Sequence, residues 1–558
     1  MHQVKRETML SRRTFVRSCL ATGSILALSG CSNTTNNAAE NSVGSQSLPE
    51  GGTLYFYIDN PLAIDPYNCQ ESEGRKVQVS LFDALTAYDW EKGILVGKAA
   101  ESWEANDAET EFTFHLVHDA TFHNGEPVTA QSFKRAWERI CDPKMNPPSA
   151  IRYHLDPVRG ASQMARGDAQ QIEGVRATDD YTLVVTLSAP MADFPYVCSH
   201  PSLAPVPQAA LDDPQGFMMQ PIGNGPFKMD GPWVPDQRIR IVRYDGYYGT
   251  PAKIDAVEFH ILENPGTAFR EFEAGHIDFT PIAAGRFGEI SMNYGMAEDG
   301  YTVSPGAQTL TGTECSVYYL MLNCKDETLR DPTIRRAISL AINRDNINHA
   351  IFGGTYSVAG TIMPPVLDDD PANKWEDSHY DAEAARKLLD KDHPANANGG
   401  RNLHIRLSFN QGGGHDDIIN MIATDLQAVG ITVELDSTEW TAYSDALSKG
   451  DFQVARFGWF ADYPIMDNFL YPLFYSSSES NSSGYSNLDI DSALLATREI
   501  ADTEERKQAY RNICARIGQD MPVVPLLFYS HNHVGSKRVN RLYYDPQSIP
   551  HFEDASVS

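Results

Sequence analysis

Apolar and polar positions along the chain follow two periods, and the switching between them predicts a mixed α/β protein. Leu54-Tyr55-Phe56-Tyr57-Ile58 is a continuous apolar run of strand length. Phe112-Thr113-Phe114-His115-Leu116 alternates with period two, the pattern of a strand buried on one face. An Asn124-Gly125 turn follows, and Thr129 is placed to cap a helix through Ser132, Phe133, Ala136 and Trp137. Residues 182–187 read as another strand. Asp331-Pro332 opens a helix with apolar positions Ile334, Ala337, Ile338 and Ala341, its proline at the first helical position, where no N–H is needed. Residues 381–391 predict a further helix. The amphipathic stretch 418–429 stops at Gly430 and a strand follows at 431–435. Residues 523–528 form a late apolar strand, and no internal repeat or low-complexity stretch follows residue 50.

The first thirty residues break this pattern. Lys5, Arg6, Arg12, Arg13 and Arg17 stand against Glu7 alone, and an apolar run follows at 19–28. That run is shorter than the roughly 20 residues of a membrane-spanning helix, so residues 1–30 read as an export signal. Ser11-Arg12-Arg13-Thr14-Phe15-Val16 resembles the twin-arginine export motif, and Leu28-Ser29-Gly30-Cys31 resembles a bacterial lipobox. On that reading Cys31 becomes the lipidated N terminus. Residues 31–50, rich in Ser, Asn, Thr and Ala, form a flexible tether. The expected location is the cell membrane, held by a lipid on the extracytoplasmic face without crossing it.

A length of 558 residues suggests two to four domains of about 150 residues. The formal net charge of -29 repels nucleic acid and anionic headgroups, so a nucleic-acid partner is excluded, while cationic and zwitterionic ligands are permitted. Besides Cys31, the exported part carries Cys69, Cys141, Cys198, Cys315, Cys324 and Cys514, scattered without a CxxC or Cys/His pairing. This indicates neither zinc nor redox chemistry, and leaves buried thiols and disulfides both open.

No GxSxG, HExxH, phosphate loop or GxGxxG is present, so the sequence supports neither catalysis nor a cofactor. His531-Asn532-His533 puts two imidazoles on one strand face, more simply read as a strand end than as a metal pair. The richer constellation runs from Trp440 through residues 450–463. Strand alternation sets Arg456, Gly458 and Phe460 on one face and Trp459 on the other, with Asp462 at the strand end. An Asp beside aromatics favours a cation, and an Arg offers a fork for a carboxylate. Together they suit a zwitterion with separated charges, such as a peptide. By residue type alone, a structural Arg–Asp pair among core aromatics is the plainer alternative.

Four further segments, in order, make the chain resemble the solute-binding proteins of peptide-type ABC importers, the oligopeptide- and dipeptide-binding family. They are Leu81-Phe82-Asp83-Ala84-Leu85-Thr86 with Ala99-Ala100-Glu101-Ser102-Trp103; the 112–116 strand with Asn124-Gly125-Glu126-Pro127-Val128-Thr129-Ala130; Gly223-Asn224-Gly225-Pro226-Phe227; and residues 329–337. The resemblance spans about residues 50–545. It implies a two-lobed periplasmic-binding-protein fold with a hinge, a ligand cleft between the lobes and an extra subdomain on one of them. The implied division is 51–92, 201–314 and 524–558 for lobe I, 93–200 for the subdomain and 315–523 for lobe II. The hinge crossings are expected near residues 315–323 and 523–529.

The resemblance also implies function. The chain is expected to be a non-enzymatic, monomeric binding subunit that captures short peptides and hands them to importer permease subunits. In the family's GWxADY motif the Asp binds the peptide α-amino group; here it is Asp462. Gly458 and Trp459 are expected to pair their backbone with the extended peptide. Arg456 corresponds to a carboxylate partner, His415 and Trp440 to pocket residues, Tyr319 to a hinge-strand aromatic and Ser72 to the N-terminal loop near the ligand. Departures occur at Phe352, where some oligopeptide binders carry Lys, and at Gln70, where some carry Glu. Two alternatives keep the fold: a non-peptide cargo such as a nickel complex, haem, a sugar or an antibiotic, and a peptide-pheromone receptor.

Overall fold

The structure, a computed structural model, describes residues 50–283, 285–370 and 373–558. The export segment 1–30, Cys31 and nearly all of the tether lie outside the described residues. Among the described residues no helix is long and apolar enough to cross a membrane.

The first lobe is built on a seven-stranded sheet. Thr53–Ile58 runs parallel to Ala256–Ile261 and also meets Phe279–Pro281. Leu54, Phe56 and Ile58 are 0–1% exposed, as a run flanked on both edges by other strands requires. A second, four-stranded sheet contains Glu111–Leu116 and Thr182–Thr186. Helix Ala130–Cys141 covers it, opened by a Thr129/Ser132 capping box, with Phe133, Trp137 and Ile140 turned inward at helical spacing. Residues of both sheets belong to one continuous hydrophobic core.

The second lobe has a separate core around a six-stranded sheet. Its strand Ser316–Leu322 lies between Val454–Phe460 and Val523–Phe528 and is buried at every position. Helices Pro332–Ala341, capped by the Asp331 carboxylate, and His415–Ala428 pack in this lobe. Each fully buried apolar side chain in such a core contributes roughly 1.5–3 kcal/mol.

The chain passes between the lobes through two short segments that pair with each other. Thr313 bridges Ser530, Glu314 N donates to Tyr529 O at 2.8 Å, and His531 N donates to Gly312 O at 2.8 Å. The crossings therefore lie at residues 312–314 and 529–531, just beyond the strands in which the sequence placed them. Residues 524–528, assigned above to lobe I, instead pair inside the lobe II sheet. The physical reason is visible in both strands: uninterrupted apolar sequence needs cover on two faces, which a crossing segment cannot supply. The six described cysteines are all free thiols.

Candidate functional site

A cleft of about 810 Å³ opens where the two lobes face each other. Its second-lobe wall is the end of strand Val454–Phe460 and the residues after it. That strand pairs antiparallel with Ser316–Leu322 along its whole length. On its other edge the neighbour His404–Asn410 pairs only with Val454 and Ala455. From Arg456 onward that edge has no strand beside it among the described residues. The bond from Ala461 N to Cys315 O at 3.0 Å fixes the alternation. By that alternation the N–H and C=O of Gly458 and Phe460 point away from Ser316–Leu322, toward the open edge. Those of Trp459, expected to pair with the peptide, instead point into the Ser316–Leu322 ladder, because one step along a strand reverses them.

Arg456, Gly458 and Phe460 share a face, as the alternation predicts, and all three meet Tyr529. The Tyr529 hydroxyl is 3.3 Å from Arg456 Nη2 and its ring is 4.9 Å from that of Phe460. A Cβ on Gly458 would stand 2.8 Å from that hydroxyl, so only glycine fits without a shift. Trp459, on the opposite face, donates its indole N–H to Asn468 Oδ1 at 3.2 Å and lines the cleft.

Asp462 sits at the strand's end. Its Oδ1 accepts from the Tyr153 hydroxyl at 3.0 Å, and its Oδ2 lies 3.4 Å from Asn468 Nδ2. Asn468 Oδ1 in turn accepts from Asp462 N at 3.0 Å. Arg75 and Gln547 both donate to its backbone carbonyl. Among the described residues no Lys or Arg forms an ion pair with the Asp462 carboxylate. It is a half-buried anion satisfied only by neutral donors.

Arg456 is the mirror case. Its Nη1 donates to Asn410 Oδ1 at 3.0 Å, its guanidinium lies 4.9 Å over the Tyr318 ring, and its Nε has no partner. No carboxylate pairs with it among the described residues. His415, buried at the first position of its helix, lies 3.4 Å from the Tyr318 hydroxyl. Burial, reinforced by the Arg456 charge, pushes the His415 pKa down to about 4, so the ring is neutral at pH 7.

The remaining expected residues divide. Ser72, the first residue of helix Ser72–Leu81, lines the cleft, as does Gln70. Trp440 begins helix Trp440–Lys449, is 52% exposed and packs beside Tyr443; it is not among the residues that line the cleft. Tyr319 requires a correction: it is buried and packed edge-on against Phe457, and Tyr318, one position earlier, faces Arg456 and His415. A one-residue offset on a strand exchanges faces. The sequence reading missed Tyr153, Arg75, Asn468 and Gln547 at Asp462. Only Asn468 is close in the chain, and no spacing rule connects the others. The His531–His533 pair is used within the fold, with His531 between Glu314 at 3.1 Å and Asp545 O at 3.0 Å.

Comparison with known proteins fits this architecture. Residues 95–481 match the family described as bacterial extracellular solute-binding proteins, family 5. The periplasmic oligopeptide-binding protein OppA of Haemophilus influenzae is 29% identical over 509 residues, covering 86% of this chain and 90% of that protein. The probable deoxycholate-binding periplasmic protein YgiS of Escherichia coli is 27% identical over 506 residues, covering 88% and 90%. The crystal structure of Haemophilus influenzae OppA with the peptide RPPGFSPFR aligns at TM-score 0.72 and 26% identity, over 92% of this chain and all of that one.

Proposed function

The chain belongs to the bacterial extracellular solute-binding proteins of family 5, and from that premise we propose that it captures short peptides by their α-amino group and main chain. The observation that carries this is Asp462: a half-buried carboxylate without an ion-pair partner among the described residues, at the end of a strand whose outer edge has no paired strand from Arg456 onward. An ammonium there completes the carboxylate's hydrogen bonding, and a peptide laid along Gly458 and Phe460 continues the sheet. Main-chain pairing reads no side chain, so many sequences are admitted. Arg456, paired with neutral groups only, supplies the partner for a C-terminal carboxylate. The two charges are six positions apart; at about 3.3 Å per residue that is about 20 Å at most, which suits a peptide of about four to six residues.

Isothermal titration with tetra-alanine tests the reading. Asp462→Asn, and separately N-acetylation of the peptide, each weaken binding by about 100-fold, the loss of a charge-assisted bond in a partly dry site. Unchanged affinity in both sinks the peptide reading. A second reading keeps the cleft and changes the cargo to an apolar carboxylate. The aromatic lining by Phe56, Tyr57, Phe279, Phe460 and Tyr529 supports it, as does the likeness to the probable deoxycholate binder. Calorimetry with each ligand separates the two: binding of tetra-alanine without deoxycholate supports the peptide reading, and binding of deoxycholate without tetra-alanine supports the second.

Delivery to importer permeases and anchoring through a lipid on Cys31 belong to the same proposal; the first follows from the family, the second from the export signal and lipobox pattern. Metabolic labelling with a radioactive fatty acid, abolished by Cys31→Ala, tests the anchor.

A further inference from the structure

We propose that His154, His200 and Asp462 form a site for a divalent transition-metal ion of the zinc class, assembled across the two lobes at the amino end of the cleft. Each residue offers one ligand atom, and these atoms lie within 4.8 Å of one another. His154 and His200 come from the first lobe and Asp462 from the second. Metal and peptide therefore compete for one carboxylate; this competition alone rests on the peptide reading above.

His154 is the unexplained residue. It is 3% exposed, and neither ring nitrogen has a hydrogen-bond partner. A buried imidazole with both nitrogens unsatisfied is rare and unfavourable, and a metal on one lone pair relieves it. The His200 ring lies 4.3 Å away, tilted by 33°, and is equally buried. Burial holds both rings neutral, the form that ligates. The Tyr153 hydroxyl orients the Asp462 carboxylate while leaving lone pairs free. Two imidazoles and one carboxylate favour zinc, cobalt, nickel or copper over calcium or magnesium.

Binding requires adjustment. Zinc–ligand bonds of about 2.0–2.2 Å set ligand atoms roughly 3.4 Å apart, so the three groups draw together by up to about 1.4 Å. His200 Nδ1 accepts from Ser202 N at 3.2 Å. Ligation through Nε2 moves the ring proton to Nδ1 and gives up that bond. Arg75, which donates to the Asp462 carbonyl at 3.2 Å, sets a positive charge nearby and limits affinity. A zinc ion here ties the lobes together directly.

The test is zinc titration of the untagged full chain by calorimetry. One equivalent is expected, weakened at least tenfold in His154→Ala and in His200→Ala, with thermal melts of the variants checked in parallel. Zinc also raises the apparent Kd for tetra-alanine. No uptake, or uptake unchanged in both variants, overturns the site. His-dependent uptake without competition overturns Asp462 as the third ligand. Should a variant fail to fold, cobalt on the wild-type chain decides: strong visible bands of a four- or five-coordinate ion support the site, and a weak octahedral spectrum counts against it. Should tetra-alanine fail to bind at all, the peptide reading falls while the zinc titration remains readable.

Discussion

Gly458 stands where a side chain would strike Tyr529 of the cleft's aromatic wall. Its missing Cβ leaves the Tyr529 hydroxyl, 2.8 Å from where that atom would stand, free to reach Arg456. Gly458→Ala is expected to displace Tyr529 and weaken tetra-alanine binding by about tenfold, a cost of about 1.4 kcal/mol, with only a small drop in melting temperature. Adding Tyr529→Phe removes the clashing oxygen and is expected to restore part of the affinity; calorimetry on both variants checks it. Asp462, Gly458 and Arg456 were legible because they fall within seven consecutive residues whose alternation is readable. Tyr153 was not: it lies 309 positions from the carboxylate it bonds, and only the folded chain brings them together. Tyr318 was missed by one position because Ser316–Leu322 is buried on both faces, so alternation gave no signal of which side faced Arg456 and His415.

At the scale of elements, the C-terminal strand Pro550–Val557 carries a charged cluster that sets a pH window. Burial opposes the charge on His551, but its hydrogen bonds to Asp545 and Glu553 outweigh burial and push its pKa up to about 10. Burial likewise opposes the Glu553 carboxylate, yet His551 beside it and Lys98 hold its pKa down at about 2. The raised histidine contributes stability that is complete below its ordinary pKa of about 6.5 and is lost as pH rises through about 10. The depressed carboxylate contributes stability present above about 4.3 and lost as pH falls through about 2. His551→Gln is expected to lower the melting temperature most between about pH 4.5 and 6.5, with the difference from wild type shrinking above pH 7 and largely gone beyond pH 10. Melting curves at five pH values check this. Strong periodic elements were read well: the helices capped by Thr129 and Asp331 begin where the sequence placed them. The hinge expectation fell on the adjoining strands rather than on the crossing segments themselves, because those segments are three residues each and carry no periodicity.

Across the whole molecule, a second contact between the lobes is held by charge. Arg506 of helix Thr503–Asp520 pairs with Asp193 at 2.7 Å, both side chains 5% exposed, and Ala192 N donates to Arg498 O at 2.8 Å. The Tyr510 hydroxyl joins Asp193 to Asp467, which Arg498 neutralises. Arg506→Met strands Asp193 as a buried anion and is expected to cost about 3–5 kcal/mol. Combining it with Asp193→Leu removes both charges and is expected to recover most of that loss; urea midpoints at constant slope check the pair.

The open edge, Asp462 and Arg456 all belong to the second lobe, whereas Tyr153, Arg75 and Ser72 reach the cleft from the first. On the peptide reading proposed above, a ligand finds its whole main-chain template on the second lobe alone. That reading gives capture an expected temporal order: substitutions in the second lobe change how fast cargo arrives, and those in the first change its residence time.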